Sequence, residues 1–141
     1  MAGSTFHVEI VTPQEKVFEG EVASVTVPGS VGPFQVLVNH APIVTELEVG
    51  DIKVVNGGGE EFYFATSGGF AEMRNNRLSV ISDSVETASA IDIQRAESSR
   101  IRASERIAAG RAHTEQVDIA RAEAALARAT NRLRVAGKFG R

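Results

Sequence analysis

The sequence predicts a mainly β protein with a helical tail. An N-terminal antiparallel β-sandwich spans residues 1–86, and a C-terminal antiparallel two-helix hairpin spans 87–141. Three observations carry this. Hydropathy alternates with period two up to about Val85, the signature of half-buried strands. From Glu86 onward the alternation stops and Ala, Arg and Glu dominate, all good helix formers. Finally, aromatic residues are absent from 71 to 138.

In "FHVEIVT", Phe6, Val8 and Ile10 share one face and His7, Glu9 and Val11 the other. "KVFEGEVASVTV" repeats the pattern with Glu and Ser between valines. "DIKVVNGGGEEFYFAT" reads as a hairpin turning at Asn56-Gly57-Gly58-Gly59. "FAEMRNNRLSVIS" reads as a second, turning at Asn75-Asn76, where asparagine tolerates positive φ. Pro13, Pro28, Pro33 and Pro42 sit where strands begin or end. Short strands punctuated this often indicate a sandwich or flattened barrel.

Ser89 is an expected N-cap for a first helix from about Ala90 to Ala109, with Asp92 and Glu97 early, where the helix dipole favours acids. Gly110, His113 and Thr114 mark a connection; a second helix runs from about Glu115 to Val135 and ends at Gly137. The helices repeat each other. "DIQRAESSRIRASERI" from Asp92 aligns with "DIARAEAALARATNRL" from Asp118 at an offset of 26, with eight of sixteen positions identical. Arginine follows each Asp at +3, +10 and +14, which at 100° per residue fall within about 40° of one another. Arg95, Arg102 and Arg106 thus line one helix, and Arg121, Arg128 and Arg132 the other. A fold-back centred near Ala112 places Asp92 across from Arg132, Asp118 across from Arg106, and Arg95 near Arg128 and Arg132.

Apolar support in the hairpin is thin. Ile119, Leu126 and Leu133 form one stripe; the matching row from Ile93 to Ile107 is interrupted by Arg100. Alanine supplies helix propensity with little buried area, so the hairpin is expected to dock weakly. Three uses of the arginine stripes remain open: a solvated face laced by Glu–Arg contacts, a grip on phosphate through bidentate guanidinium pairing, or a clamp on acidic protein surface.

Charge divides along the same boundary. Residues 1–85 hold eleven acids and four bases; residues 86–141 hold seven acids and eleven bases. A nucleic-acid-binding module is the alternative for the basic hairpin, but the chain is net −3 and the helices offer no aromatic for base stacking, so no nucleic-acid partner is expected. There is no cysteine, which excludes disulfides and thiolate metal sites. His7, His40 and His113 show no metal-ligand spacing, and no metal is expected; His40, before Ala41-Pro42, reads as a turn-fixing hydrogen bonder. Glycines 57–59 lack the Lys-Ser/Thr of a phosphate loop, and Ser67-Gly68-Gly69 lacks a nucleophile elbow. No catalytic constellation is expected. No run approaches the ~20 apolar residues of a membrane span and no signal-peptide pattern is present; the expectation is a soluble intracellular protein.

In "GPFQVLVNHAPIVTELEVGDIKV" from Gly32 and in "ATSGGFAEMRNNRLSVISD", followed by two helices, the sequence resembles the epsilon subunit of the bacterial F-type ATP synthase, across nearly its whole length. Val38 stands where many relatives have proline. The resemblance implies a non-catalytic rotor subunit of the central stalk, with the sandwich on the gamma subunit and the membrane c-ring. It implies a hairpin that lies against the sandwich or extends towards the alpha and beta subunits, where the extended form inhibits hydrolysis. About 45 helical residues would reach ~70 Å. Localisation would be the cytoplasmic face of the bacterial plasma membrane, through the complex alone. No cofactor is required, but ATP is a regulatory ligand in a subset of relatives. Their motif matches Ile91, Asp92, Arg95 and Ala96, with Glu86, Arg102, Arg128 and Arg132 as further contributors. By chemistry the arginines neutralise phosphate, and Asp92 either orients Arg132 or accepts from an adenine amino group. Phe34, Val36, Val38, His40 and Pro42, around the family's turn, are the expected subunit contacts.

Overall fold

The computed structural model describes residues 4–113 and 115–140, so Thr114 and the ends of the expected domains lie outside the described residues. It divides after Thr87 into a sheet unit and a helical unit that begins at Ala88.

The sheet unit contains β1 (Phe6–Val11), β2 (Lys16–Gly29), β3 (Gly32–Leu37), β4 (Ile43–Leu47), β5 (Gly50–Asn56), β6 (Glu61–Thr66), β7 (Gly69–Arg74), β8 (Arg77–Ile81) and β9 (Val85–Thr87). The long β2 organises it. The first part of β2 pairs with β1, Phe6 opposite Val22 and Ile10 opposite Phe18. Further along, β2 pairs with β3, Val25 opposite Val36, and with β5, Val25 opposite Val54. From β1 the path runs through β8, β7 and β4 back to β2, so the strands close around one core. One pairing departs from the antiparallel expectation: β1 and β8 run parallel, His7 opposite Arg77 and Val11 opposite Ile81.

Period two translates directly into burial. Phe6, Val8 and Ile10 are buried, and Val22, Val25, Val27, Ile52, Val54, Met73, Leu78 and Val80 join them in one cluster. Each such side chain contributes about 1.5–3 kcal/mol on leaving water. Asn75 and Asn76 have φ of 53° and 58°, the left-handed pair that a two-residue hairpin requires. Gly69 is demanded by space as well as by its φ of 139°: a Cβ there would lie 2.0 Å from the Ile81 carbonyl oxygen. Buried Thr66 and Ser82 share a hydrogen bond of 3.0 Å between their hydroxyls, which satisfies both beneath that approach.

The helical unit begins with a 3₁₀ turn (Ala88–Ala90), then α1 (Ile93–Arg111) and α2 (Ile119–Phe139), which pack on one another as a hairpin. Both helices start later than the sequence reading placed them. Asp92 caps α1 by accepting from the Arg95 N–H at 3.0 Å; Asp118 caps α2 by accepting from the Arg121 N–H at 3.1 Å. Ser89 instead falls within the 3₁₀ turn. At the other ends, α1 continues through Gly110 to Arg111, and α2 through Gly137 to Phe139.

The 26-residue repeat is therefore a repeat of caps and of small buried residues. Ala96, Ala103 and Gly110 are buried on α1, and Ala122, Ala129 and Ala136, each 26 positions on, are buried on α2. Spacing of seven keeps such a row on one face of a helix, and small side chains let two backbones approach. Gly110 shows how close: a Cβ there would stand 3.1 Å from both Val117 Cβ and Ile119 Cγ1. Ile107 is buried four residues beyond Ala103, and Arg100, half-buried three before it, takes the position where α2 has Leu126. Glu97, one turn earlier, pairs with the Arg100 guanidinium through Nε at 3.1 and 3.2 Å and through Nη2. The Glu97 carboxyl is held below its ordinary range by this hydrogen bonding to Arg100, and Arg100 is raised by the same contact.

Candidate functional site

The residues singled out for a polyphosphate ligand fall in both units. In the helical unit, Ile91 is buried just before the α1 cap, and Ala96 is fully buried in the small-residue row. Arg95 and Arg102 are exposed on α1, on the stripe set by their spacing; Arg102 donates to Ser99 Oγ at 3.1 Å. Arg128 is exposed on α2 and Arg132 is half-buried one turn on. In the sheet unit, Glu86 is half-buried in β9, opposite Ala65 of β6.

Asp92 caps α1, a role in addition to the two the resemblance implies. One of its carboxylate oxygens terminates the backbone of its own helix, which fixes where Arg95 and Arg102 emerge. The identical cap at Asp118 sets Arg121 and Arg128 in the same way. The guanidinium set suits phosphate oxygens, with forked donors and permanent charge, and exposed arginines lose little hydration before they meet a ligand.

At the end of the sheet unit near β3, the expected contact set changes in membership. Val36 is 1% exposed and spent in the core, because it faces inward opposite Val25; it offers nothing to a partner. Phe34 and Val38 pack against that core from its rim. His40 lies edge-on to Phe34, with ring centroids 5.3 Å apart, and its Nδ1 bonds the Ala41 carbonyl at 2.8 Å. Pro42 is exposed. After Val38, Asn39 adopts φ 63°, and it is clasped from the other hairpin: its N–H donates to Asn76 Oδ1, and Asn76 Nδ2 donates to Asn39 Oδ1. Proline is thus not needed at 38 to hold this turn.

The sequence pattern alone does not reveal an exposed apolar row on the sheet unit. On the outer face, Val11, Ile81 and Phe70 stand side by side across β1, β8 and β7, with Glu46 of β4 next to Phe70. Ile81 and Phe70 are 57% and 56% exposed, and Val44, two residues from Glu46 on the same face, is 66% exposed. Val31, at the β2–β3 tip, and Leu37 are exposed as well. The signal was present as apolar residues on the polar side of the alternation, yet only the register joins them into one row. A second surface group is also made by register. His7 Nε2 lies 2.9 Å from Glu19, His7 Nδ1 lies 3.0 Å from Glu21, and Lys16 bridges Glu9 and Glu19 at 3.3 and 2.9 Å. His7, Glu9 and Glu19 bring ligand atoms within 4.8 Å of one another. The Lys16 ammonium already serves two of the carboxylates, and its hydrogen bonds raise Lys16 and lower Glu19.

A closed β-sandwich followed by a long-helix hairpin defines the class of protein. Residues 5–88 match the model of the ATP synthase delta/epsilon chain β-sandwich domain, and residues 89–137 match that of its long α-helix domain. The chain belongs to the ATP synthase delta/epsilon chain family. It is similar to proteins named ATP synthase epsilon chain from Salinibacter ruber, 46% identical over 94% of this chain and 93% of that one. The Halalkalibacterium halodurans protein of the same name is 41% identical over 95% and 98%. Among solved structures, a chain of the Euglena gracilis mitochondrial ATP synthase (OSCP/F1/c-ring) shares the fold at TM-score 0.76 and 19% identity, over 90% of this chain and 78% of that one. A chain of the Tetrahymena thermophila mitochondrial enzyme, titled central stalk/c-ring, does so at TM-score 0.55 and 12% identity, covering 96% of each. No helix among the described residues is long and apolar enough to cross a membrane.

Proposed function

We propose that this chain is a non-catalytic rotor subunit of a proton-translocating F-type ATP synthase, and that its helical hairpin regulates ATP hydrolysis. The observation that carries the regulatory half is the row of Ala96, Ala103 and Gly110 with its repeat at Ala122, Ala129 and Ala136. Alanine and glycine bury little area per residue, so the helices hold together by close approach and part at modest cost. Family membership, together with neighbours titled as central stalk and c-ring assemblies, supports the stalk placement.

In this reading the outer apolar row of Val11, Ile81 and Phe70, with Val44, docks on the gamma subunit. The loops around Val31 and Pro42 face the c-ring. The hairpin, when extended, reaches the alpha and beta subunits and inhibits, and its arginines meet their acidic surface. The complex holds the chain at the cytoplasmic face of the bacterial plasma membrane. ATP is a regulatory ligand of the closed hairpin: Arg95, Arg102, Arg128 and Arg132 neutralise its phosphates, and Ile91 and Ala96 complete the motif within the helical unit. Asp92 caps α1, and its carboxylate orients Arg132 or accepts from the adenine amino group. A ligand that binds only the closed form stabilises it by mass action.

Deleting residues 87–141 and measuring ATPase activity of the purified complex tests the reading. Release of activity is expected; no change on deletion overturns the regulatory half and confines the chain to coupling and assembly, and failure of the chain to co-purify with the catalytic head overturns the stalk placement. Calorimetric titration of the chain with millimolar ATP tests the ligand separately, and absence of heat removes it.

A further inference from the structure

We propose that Asn56 is a spontaneous modification site of the folded chain, deamidating through its own β5–β6 turn. Three features of the turn act on one side-chain amide. Asn56 Oδ1 accepts two backbone N–H donors, Gly58 at 3.0 Å and Glu60 at 2.9 Å. The amide nitrogen, Nδ2, donates to the Glu60 carboxylate at 3.1 Å. The next residue is Gly57, exposed and without a side chain to crowd its nitrogen.

The chemistry follows from that arrangement. The Gly57 nitrogen gives its proton to solvent base and attacks Asn56 Cγ, forming an N–C bond and placing negative charge on Oδ1. Two preset N–H donors stand where that charge develops, as an oxyanion hole does. Collapse of the adduct breaks the Cγ–Nδ2 bond; the nitrogen takes up a proton beside Glu60 and leaves as ammonia. Water then adds to the cyclic imide. Opening at Cγ gives aspartate, and opening at the backbone carbonyl gives isoaspartate. The net change is one water consumed and one ammonia released.

The products disturb the turn that made them. Aspartate replaces the Nδ2 donor with a carboxylate facing Glu60, and isoaspartate loses that donor while its free carboxylate is the former main-chain carbonyl. Isoaspartate also lengthens the backbone between Asn56 and Gly57, where the Asn56 N–H to Glu60 carbonyl bond of 3.0 Å and the Gly59 N–H to Asn56 carbonyl bond of 3.1 Å set the register. The other asparagines are followed by larger residues: His40 after Asn39, Asn76 after Asn75, Arg77 after Asn76 and Arg132 after Asn131.

The test is ageing of the full chain in mildly alkaline ¹⁸O-water, folded and in concentrated guanidinium, with peptide mapping of the label. The geometry predicts labelling at Asn56 in the folded chain at least as fast as in the unfolded chain, and about tenfold or more faster than at any other asparagine. Labelling that folding slows, or that is no faster than at Asn39 or Asn75, overturns the proposal. Glu60→Gln should slow the folded rate several-fold and leave the unfolded rate alone; an unchanged folded rate removes Glu60 from the step.

Discussion

The same substitution at two helical glycines has opposite expected signs. At Gly137 an added Cβ meets nothing within 4 Å, and the backbone is helical. Gly137→Ala therefore gains only helix propensity, about 0.5–1 kcal/mol, with the lower end apt for a position two residues from the helix end. At Gly110 the same methyl meets Val117 Cβ and Ile119 Cγ1 at 3.1 Å and Ile119 Cδ1 at 3.4 Å. Those atoms belong to the connection and the first turn of α2, so relief of the crowding means moving one helix off the other. Overpacking of this kind costs about 1–3 kcal/mol against a propensity gain of about 1 kcal/mol, for a net loss of up to about 2 kcal/mol. Urea denaturation followed by helical ellipticity reads both variants, because the helices lie in one unit. A gain at 137 with a loss at 110 is expected. Equal gains at both would refute the close approach of the helices at Gly110.

Other outcomes follow from individual contacts. Asp92→Ala and Asp118→Ala should each destabilise the helical unit by about 1 kcal/mol, with faster amide exchange at Arg95 and Arg121; Asn at either position should restore most of it. Gly69→Ala places a Cβ 2.0 Å from the Ile81 carbonyl at a φ of 139°, and should cost more than about 4 kcal/mol, seen as loss of the folded sheet in denaturant titration. Glu97 is lowered in the folded chain by its hydrogen bonds to Arg100, so its contribution is present above the unfolded carboxylate value and is lost as pH falls through the lower folded value. An acid titration of helicity should show that loss, and Glu97→Gln should flatten it.

The sheet was legible because burial of one face leaves a period-two trace in every strand, and because Asn75-Asn76 and Asn56-Gly57 carry turn chemistry in their own side chains. What register creates was not legible. Nothing local says that Val11 neighbours Ile81 on a parallel strand, or that His7 meets Glu19 and Glu21. In the helices the repeat was visible but its meaning shifted. Ser89 and Asp92 are both good caps, and the choice fell to Asp92 because residues 88–90 form a 3₁₀ turn first. Gly110 and Gly137 read as breaks from propensity alone, whereas close packing at 110 and an otherwise continuous helix at 137 override it. The candidate phosphate ligands were found as a spacing; that Ala96 packs in the interior and Asp92 caps a helix required the fold.

The small-residue row as a release device is tested most directly by ATPase activity of the assembled complex carrying Ala103→Leu and Ala129→Leu. Larger side chains in the row should force the helices apart and raise the extended population. Hydrolysis should then fall below wild type, while deletion of residues 87–141 in the same background restores it. Activity equal to wild type in the leucine variant, with the chain bound in the complex, would contradict the account.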